Sequence, residues 1–272
     1  MAKIVVLEHE LQRGLGLPYM VNTFAERWRA LGHEVVWHYG VRNPPPGDLA
    51  ILHLDLTEVP EAYRTLVAHY PRTLNARALT VAKSSFSQQI VPRDSPWAGP
   101  VIVKTDANFG GRPEHFLRQR AQRDGLPCDI AAGPVATEYP MYGSVRDVPD
   151  AFWETPGIIV EKFLPERDAQ GHYRVRVWTF LGDRERNLIW RSTHPIVKAE
   201  NVIAREPADV PDAMRAWREK LGFDFAKFDY VIREEGAVLL DVNRTPAFPS
   251  MDVQRRRDAL YPLADGIERY LR

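Results

Sequence analysis

The chain of 272 residues contains one cysteine, Cys128. No disulfide framework and no cysteine-based metal cluster can form within it, which favours a reducing compartment. Long apolar runs are missing too. No window approaches the roughly 20 apolar residues of a membrane-spanning helix. The opening run ends at Glu8, too early for the apolar core of a secretion signal. Charge of one sign is not in excess, since Lys+Arg and Asp+Glu number 36 each and the net charge is zero. No general field for nucleic acid or an anionic membrane follows. The one basic run, Arg255, Arg256 and Arg257, reads as an exposed helix face. Internal repeats, low-complexity tracts, a complete P-loop and a nucleophile–base triad are absent. These absences point to a cytoplasmic, soluble protein, in which Cys128 has no evident base motif to make it a nucleophile.

What is there begins as an α/β pattern. Strands are expected over 3–7, 34–39 and 48–54, and a helix over 60–70. Over 19–31, Met20, Phe24, Trp28 and Leu31 recur at helical spacing and Gly32 supplies a stop. This alternation predicts a layer with a mostly parallel sheet. Gly14 and Gly16 follow the first strand but lack the third glycine of a dinucleotide fingerprint. Ligands gather at the carboxyl ends of such strands. Glu8, His9 and Asp55 are therefore candidates for substrate contact, against the plainer reading of loop polarity. A helix is expected over 78–90, carrying Lys83. Three prolines and Gly99 in 91–100 mark a boundary.

Chemistry is concentrated after that boundary. The strand 100–104 ends in Lys104 and runs into Asn108, Phe109, Gly110 and Gly111. A strand-end lysine beside glycines suits phosphate, because backbone N–H groups can approach oxygens with no Cβ in the way. A structural Gly-Gly turn is the competing reading. A second strand, 158–164, contains Glu161, Lys162 and Phe163. Strict alternation over 173–180 puts Arg174, Arg176 and Trp178 on one face and Tyr173, Val175, Val177 and Thr179 on the other. Arginines facing a site bind phosphate or carboxylate bidentately; otherwise they line an exposed edge. Near the C-terminus, two β-prone runs flank Arg233, Glu234, Glu235 and Gly236, a hairpin signal. Asp241 and Asn243 share a strand face, and pairing would bring Asp229 beside them. Two carboxylates and an amide oxygen make a hard oxygen set suited to Mg²⁺ carrying a phosphate chain. The alternative is a solvated hairpin.

The ordered set across residues 83–249 resembles the ATP-grasp superfamily: Lys83, then VIVKTDANFGG, IIVEKFLPE, YRVRVW and finally the Asp229 strand with DVNRTP. The resemblance implies an α/β fold, with an N-terminal α/β pre-grasp domain (1–92) followed by a two-subdomain α+β ATP-grasp fold (93–155 and 156–272). By motif, Lys83 and Lys104 would contact ATP phosphates, and Asn108, Gly110 and Gly111 would close over them. Glu161, Lys162 and Phe163 match the adenine hinge, and Asp168, or alternatively Glu166, the ribose acid. Asp229, Asp241 and Asn243 match the Mg²⁺ ligands. Arg176 and Arg191 resemble arginines at the γ-phosphate, and Arg244 is placed for a substrate carboxylate or phosphate. Asp241 stands where many relatives have glutamate, and Arg244-Thr245-Pro246 where many have a small residue and Pro-Gly. The activity implied is an ATP- and Mg²⁺-dependent ligase joining a small-molecule carboxylate to an amine or thiol through an acyl phosphate. A small-molecule kinase and a non-catalytic nucleotide-binding protein are the alternatives. No nucleic-acid or membrane partner is expected. Many relatives are dimers, so a homodimer is one expected state.

Overall fold

Four parallel strands form the first sheet of the computed structural model, which describes residues 1–248 and 252–272. Pro249, the end of the motif set, lies outside the described residues. The strands are β1 (Lys3–Glu8), β2 (Glu34–Tyr39), β3 (Leu49–Leu52) and β4 (Thr73–Leu74), in the order β2-β1-β3-β4. β1 and β3 are apolar and buried along nearly their whole length, as central strands covered on both faces must be. Ile4 and Val6 face α1 (Met20–Ala30), whose Val21, Phe24 and Trp28 pack against them. Val5 and Leu7 face the other way, toward Tyr63 and Leu66 of α2 (Glu61–Leu66).

The second sheet is antiparallel: β5 (Val101–Thr105), β6 (Met141–Tyr142) and β7 (Ile158–Lys162), in the order β6-β5-β7. The sequence division at 155/156 put β7 in the C-terminal subdomain; it pairs instead with β5. Helix α3 (Arg112–Asp124) packs its Leu117 and Ala121 against Leu11 and Leu56 of the first layer's loops, whereas α4 (Asp150–Glu154) packs on this sheet. The third sheet contains β8 (Glu166–Arg167), β9 (Tyr173–Leu181), β10 (Arg184–Ser192), β11 (Ala204–Pro207), β12 (Phe225–Arg233) and β13 (Gly236–Asn243). Its order is β11-β10-β9-β12-β13, with β8 on β9. One face carries Trp178, Phe180, Phe228 and Tyr230, packed under Met214 of α5 (Asp212–Leu221). The chain then returns to the first layer through α6 (Val253–Ala264). There the Trp28 indole donates to the Ala264 carbonyl at 2.8 Å and Arg27 pairs with Asp265 at 2.7 Å.

The helix expected over 78–90 is absent; only Lys83–Ser85 makes a single 3₁₀ turn. Its backbone groups go to neighbouring segments. Val81 N–H donates to Thr57 O at 2.9 Å, Lys83 N–H donates to Asp106 O at 3.0 Å, and Ile90 bridges to Glu161. Ser84, Ser85 and Ser87 compete for backbone groups, and Thr80 and Val81 are β-branched, so local preference for a helix is weak.

Two polar ties fasten the β12–β13 hairpin to the first layer. Before β12, Asn75 Oδ1 accepts from Asp224 N at 2.9 Å and Phe225 N at 3.0 Å, and its Nδ2 donates to Phe225 O at 2.8 Å. After β13, Arg244 is 1 % exposed. Its Nε donates to Ala78 O at 3.0 Å, and a terminal nitrogen to Leu56 O at 3.1 Å and Leu54 O at 3.4 Å. Arg244→Met keeps the volume but leaves buried carbonyls without donors, so it should lower the unfolding free energy by about 3 kcal/mol. Urea titration measures this, and an unchanged midpoint would remove Arg244 as a tie.

Candidate functional site

A cleft of about 700 Å³ is lined by the second sheet, the third sheet and the loops around them. Strand alternation decides which side chains floor it. From β9 come Tyr173, Val175, Val177 and Thr179; from β10, Arg186, Leu188 and Trp190; from β12, Lys227, Asp229 and Val231. Registers arrange these in rows across the sheet. One row reads Asp241–Asp229–Val177–Leu188, and the next reads Asn243–Lys227–Thr179–Arg186. A bulge follows the first row. Asp229 opposes Asp241 but Tyr230 opposes Leu239, so Leu240 is unpaired and both Leu240 and Asp241 reach the cleft.

Around this acid pair the charges are close. Lys227 Nζ donates to Asp229 Oδ2 at 2.8 Å. Lys83 Nζ lies 3.5 Å from Asp241 Oδ1 and donates to Ala107 O at 2.9 Å. Asp229 Oδ1 is buried without a hydrogen-bond partner. Burial pushes the Asp229 carboxyl above the usual range; Lys227 counters this and the Asp241 charge adds to it. Burial also works against the Lys227 charge, but the two carboxylates outweigh it and hold its pKa up. On the opposite wall, Lys104 of β5 pairs with Glu161 of β7 at 2.7 Å, both buried or nearly so. Lys162, Phe163, Leu164 and Pro165, the segment between β7 and β8, also line the cleft. The N–H groups of Lys162 and Phe163 are already given to Gln89 O and Pro100 O, at 2.8 and 2.9 Å. The Lys162 ammonium lies 4.9 Å from the centre of the Trp97 ring.

The cleft thus collects Lys83, Lys104, Glu161, Lys162, Phe163, Asp229 and Asp241. It does not collect the other expected residues. Arg176 shares the strand face of Trp178, which is buried in the core, and pairs with Glu166, whose Oε2 also accepts from Ile232 N at 2.7 Å. Arg191 likewise lies off the cleft face of β10, between Asp168 at 3.8 Å and Glu206 at 3.6 Å. Asp168 caps its own turn, accepting from Gln170 N at 3.0 Å and His172 N at 2.9 Å. Burial opposes its charge, but these donors and the His172 ring hold its carboxyl below the usual range. Arg244 points into the first layer as described. Asn243 stands on the Lys227 row, with its Oδ1 accepting from Thr245 N at 2.8 Å.

The glycine loop is anchored, not bare. Asn108 is buried, its Nδ2 donating to Asp55 Oδ1 at 2.9 Å and its N–H to Thr57 Oγ1 at 2.8 Å. Gly110 and Gly111 have φ of 72° and 73°. A Cβ on them would lie 2.2 Å from Ala136 O and 2.4 Å from Pro134 O. The two glycines seat the segment 133–137 on the loop, and Ala136 N–H donates to Gly110 O at 2.9 Å. Glu8, His9 and Asp55 do not line the cleft. Glu8 lies 3.2 Å from His53, His9 accepts from Leu11 N, and Asp55 accepts from Tyr19, Asn108 and Thr245.

Several lining residues escaped the sequence reading. Lys227 was legible, since it stands two before Asp229 and shares its face. Arg186 was legible from the alternation of Arg186, Leu188 and Trp190. Arg112 and Lys198 arrive from a helix start and a loop, which carry no facial period, whereas Tyr139 belongs to the 139–142 region expected from sequence to line the cleft. Burial, helped by Asp241, pushes the Tyr139 hydroxyl up to about 12.

For a divalent cation, no group of three or more His, Cys, Asp or Glu side chains exists among the described residues. Asp229 and Asp241 nevertheless suit Mg²⁺, a hard ion that takes few protein carboxylates and fills its shell with water and phosphate oxygens. The unpartnered Asp229 Oδ1 beside a second carboxylate is the observation that fits.

No family model and no curated protein matches the chain. Solved structures do. D-alanine–D-alanine ligase from Bacillus anthracis aligns with a TM-score of 0.54 at 12% identity, over 100% of this chain and 97% of that one. The macrocyclase MdnC from Microcystis aeruginosa MRC, bound with precursor peptide MdnA, aligns at 0.53 and 9%, over 97% and 99%. A RiPP-associated ATP-grasp ligase from Chryseobacterium gregarium, in complex with ADP and a leader and core peptide, aligns at 0.53 and 10%, over 97% and 96%. The chain has the ATP-grasp fold.

Gly110→Ala forces a strained φ and a clash with the 133–137 segment, and should cost about 1–3 kcal/mol of stability. Urea unfolding measures it; wild-type stability would mean the segment is not seated on this glycine.

Proposed function

We propose that this chain is an ATP- and Mg²⁺-dependent ligase that activates a carboxylate as an acyl phosphate for attack by an amine or thiol. The observation that carries this is the acid pair Asp229/Asp241, set among Lys83, Lys104 and Lys227 in one cleft of an ATP-grasp fold. Adenine would sit among Ile102, Phe163, Leu164 and Val175, with its phosphates directed to the lysines. Bound Mg²⁺, held by Asp229 and Asp241, would neutralise phosphate charge. The remaining work falls to this chain's own side chains. Lys104 and Lys83 orient the phosphate oxygens, and Lys227 holds the substrate carboxylate beside the acid row. A carboxylate oxygen then bonds to the γ-phosphorus as the bond to ADP breaks. The amine or thiol next bonds to the carbonyl carbon, and inorganic phosphate leaves with the electron pair of the broken C–O bond. Catalysis on this reading is positioning and charge neutralisation. Loops carrying Tyr139 and Lys198 would limit water at the reacting atoms. We divide the chain after the first layer and, following the strand pairing, after β7. A cytoplasmic setting belongs to the same reading, in keeping with the exposed thiol of Cys128. No helix among the described residues is long and apolar enough to cross a membrane.

The test is incubation with ATP, Mg²⁺ and pooled amino acids and small carboxylates. ADP and free phosphate, both dependent on an acid and an amine together, are expected. ADP without phosphate would make the protein a small-molecule kinase, and nucleotide binding without turnover a non-catalytic nucleotide-binding protein. Asp241→Asn should cut turnover by about 10²-fold or more while the protein stays folded by circular dichroism. Lys104→Ala should weaken ATP binding by about ten-fold, the loss of one charge-assisted contact, and an unchanged dissociation constant would remove Lys104 from the phosphate site.

A further inference from the structure

Among the cleft cations without a role in the reading above, Arg112 lies over the Phe109 ring, Lys162 over the Trp97 ring and Arg174 4.0 Å from Glu166, which leaves Arg186. It faces the cleft from β10, half-buried, and has no hydrogen-bond or ion-pair partner among the described residues. The other cations near it are engaged: Lys227 with Asp229, Lys104 with Glu161, and Arg205 over the Trp190 ring at 4.9 Å. Burial lowers the Arg186 pKa, and Arg205 lowers it further. A cation that is partly desolvated, unpaired and beside a second cation is unfavourable until an anion arrives.

Its row says which anion. The nucleotide end of the cleft is at Phe163–Pro165, next to the start of β9, where β8 pairs with Tyr173 and Arg174. Moving along β9 from there, the acid row is met at Val177 and the Lys227–Thr179–Arg186 row comes next. Successive rows on one face are about 7 Å apart, and neighbouring strands about 4.8 Å apart. Phosphates that end at the acid row therefore lie one row short of Arg186. Lys227, next to Asp229, is placed for the reacting carboxylate. Arg186 stands two strands away, with the Thr179 hydroxyl between them. A guanidinium there matches the planar, bidentate geometry of a carboxylate.

We propose that Arg186, with Thr179 beside it, is a subsite for a substrate carboxylate that the reaction leaves intact. One substrate is then either a dicarboxylate donor or an amino-acid acceptor with a free α-carboxylate. This rests on the ligase reading for its meaning, but not for its test. The probes are two matched pairs: glutarate against butyrate, and L-alanine against L-alaninamide. Each is titrated into protein loaded with ADP and Mg²⁺, observing arginine Nε–Hε resonances by NMR, with Arg186 assigned through Arg186→Lys. In at least one pair the member with the extra carboxylate should bind about ten-fold tighter or more, the scale of one charge-assisted contact, and should shift the Arg186 resonance. The first pair marks the donor as its source and the second the acceptor. Arg186→Met should abolish that preference while ADP affinity changes less than about two-fold. The subsite is overturned if neither pair discriminates, if Arg186→Met keeps the preference, or if Arg186→Met weakens ADP by ten-fold, which would make Arg186 a phosphate ligand. If wild-type protein does not bind ADP, the ligase reading fails separately, and the same titrations without nucleotide still read the subsite.

Discussion

Buried polar groups that must find partners hold this molecule together. Arg244 leaves the end of β13 and enters the first layer, where it donates to backbone carbonyls of two separate segments. Burial pulls its pKa down to about 10, which still leaves it charged at neutral pH, and Glu58, Asp55 and Glu114 oppose the fall. Asp55 does the complementary work. One carboxylate accepts from Tyr19 of the first layer, Asn108 of the glycine loop and Thr245 beyond the hairpin. Burial raises its pKa and those donors oppose the rise. Removing one partner from such a node exposes the desolvation cost of the rest. The acid pair, the glycine loop and the first sheet are thereby held in one frame.

One Arg244 terminal nitrogen is also buried without a partner, and the cleft carries this further. Its charges are not fully satisfied inside the protein: Asp229 Oδ1 and Glu161 Oε1 are buried without partners, and Arg186 has none among the described residues. In a folded core such groups would be a loss. In a cleft, they are places where a ligand of opposite charge completes the set. The lysines do double service. Lys83 and Lys227 hold the two carboxylates close enough to repel, and in the proposed reaction the same lysines face phosphate and substrate oxygens. The same logic separates Arg186 from Arg176. Arg176 is neutralised by Glu166 on the far face of the sheet and has no electrostatic reason to bind anything else.

Most of the elements could be read from sequence. The helical stripe of α1, the parallel strands of the first layer and the β12–β13 hairpin all follow from short-range periodicity. Errors came where periodicity says nothing. Alternation over β9 separated its two faces correctly, but not which one lines the cleft. Both faces carry attractive residues, Arg174 and Arg176 on one and Thr179 on the other; the burial of Trp178 against α5 and Phe228 decides for most of the strand, while Arg174 near its start still reaches the cleft. Asp168 looked like a ribose acid by its spacing, yet a five-residue turn gives it nearer donors. The segment 78–90 lost its expected helix because neighbouring strands and loops offered its backbone better partners than its own turns did.

The sequence by itself determined the order of chemistry along the chain: Lys83, Lys104, Glu161 and the Asp229 and Asp241 strands. It could do so because strand period and turn residues are local properties. Only the tertiary structure decided which of those side chains share a cleft. It turned Arg244 inward as a tie, spent Gly110 and Gly111 on seating a neighbouring segment, and brought Lys227 and Arg186 to the floor. The reason is that a side chain's role depends on what covers its face of a strand, and that cover comes from residues far away in the chain.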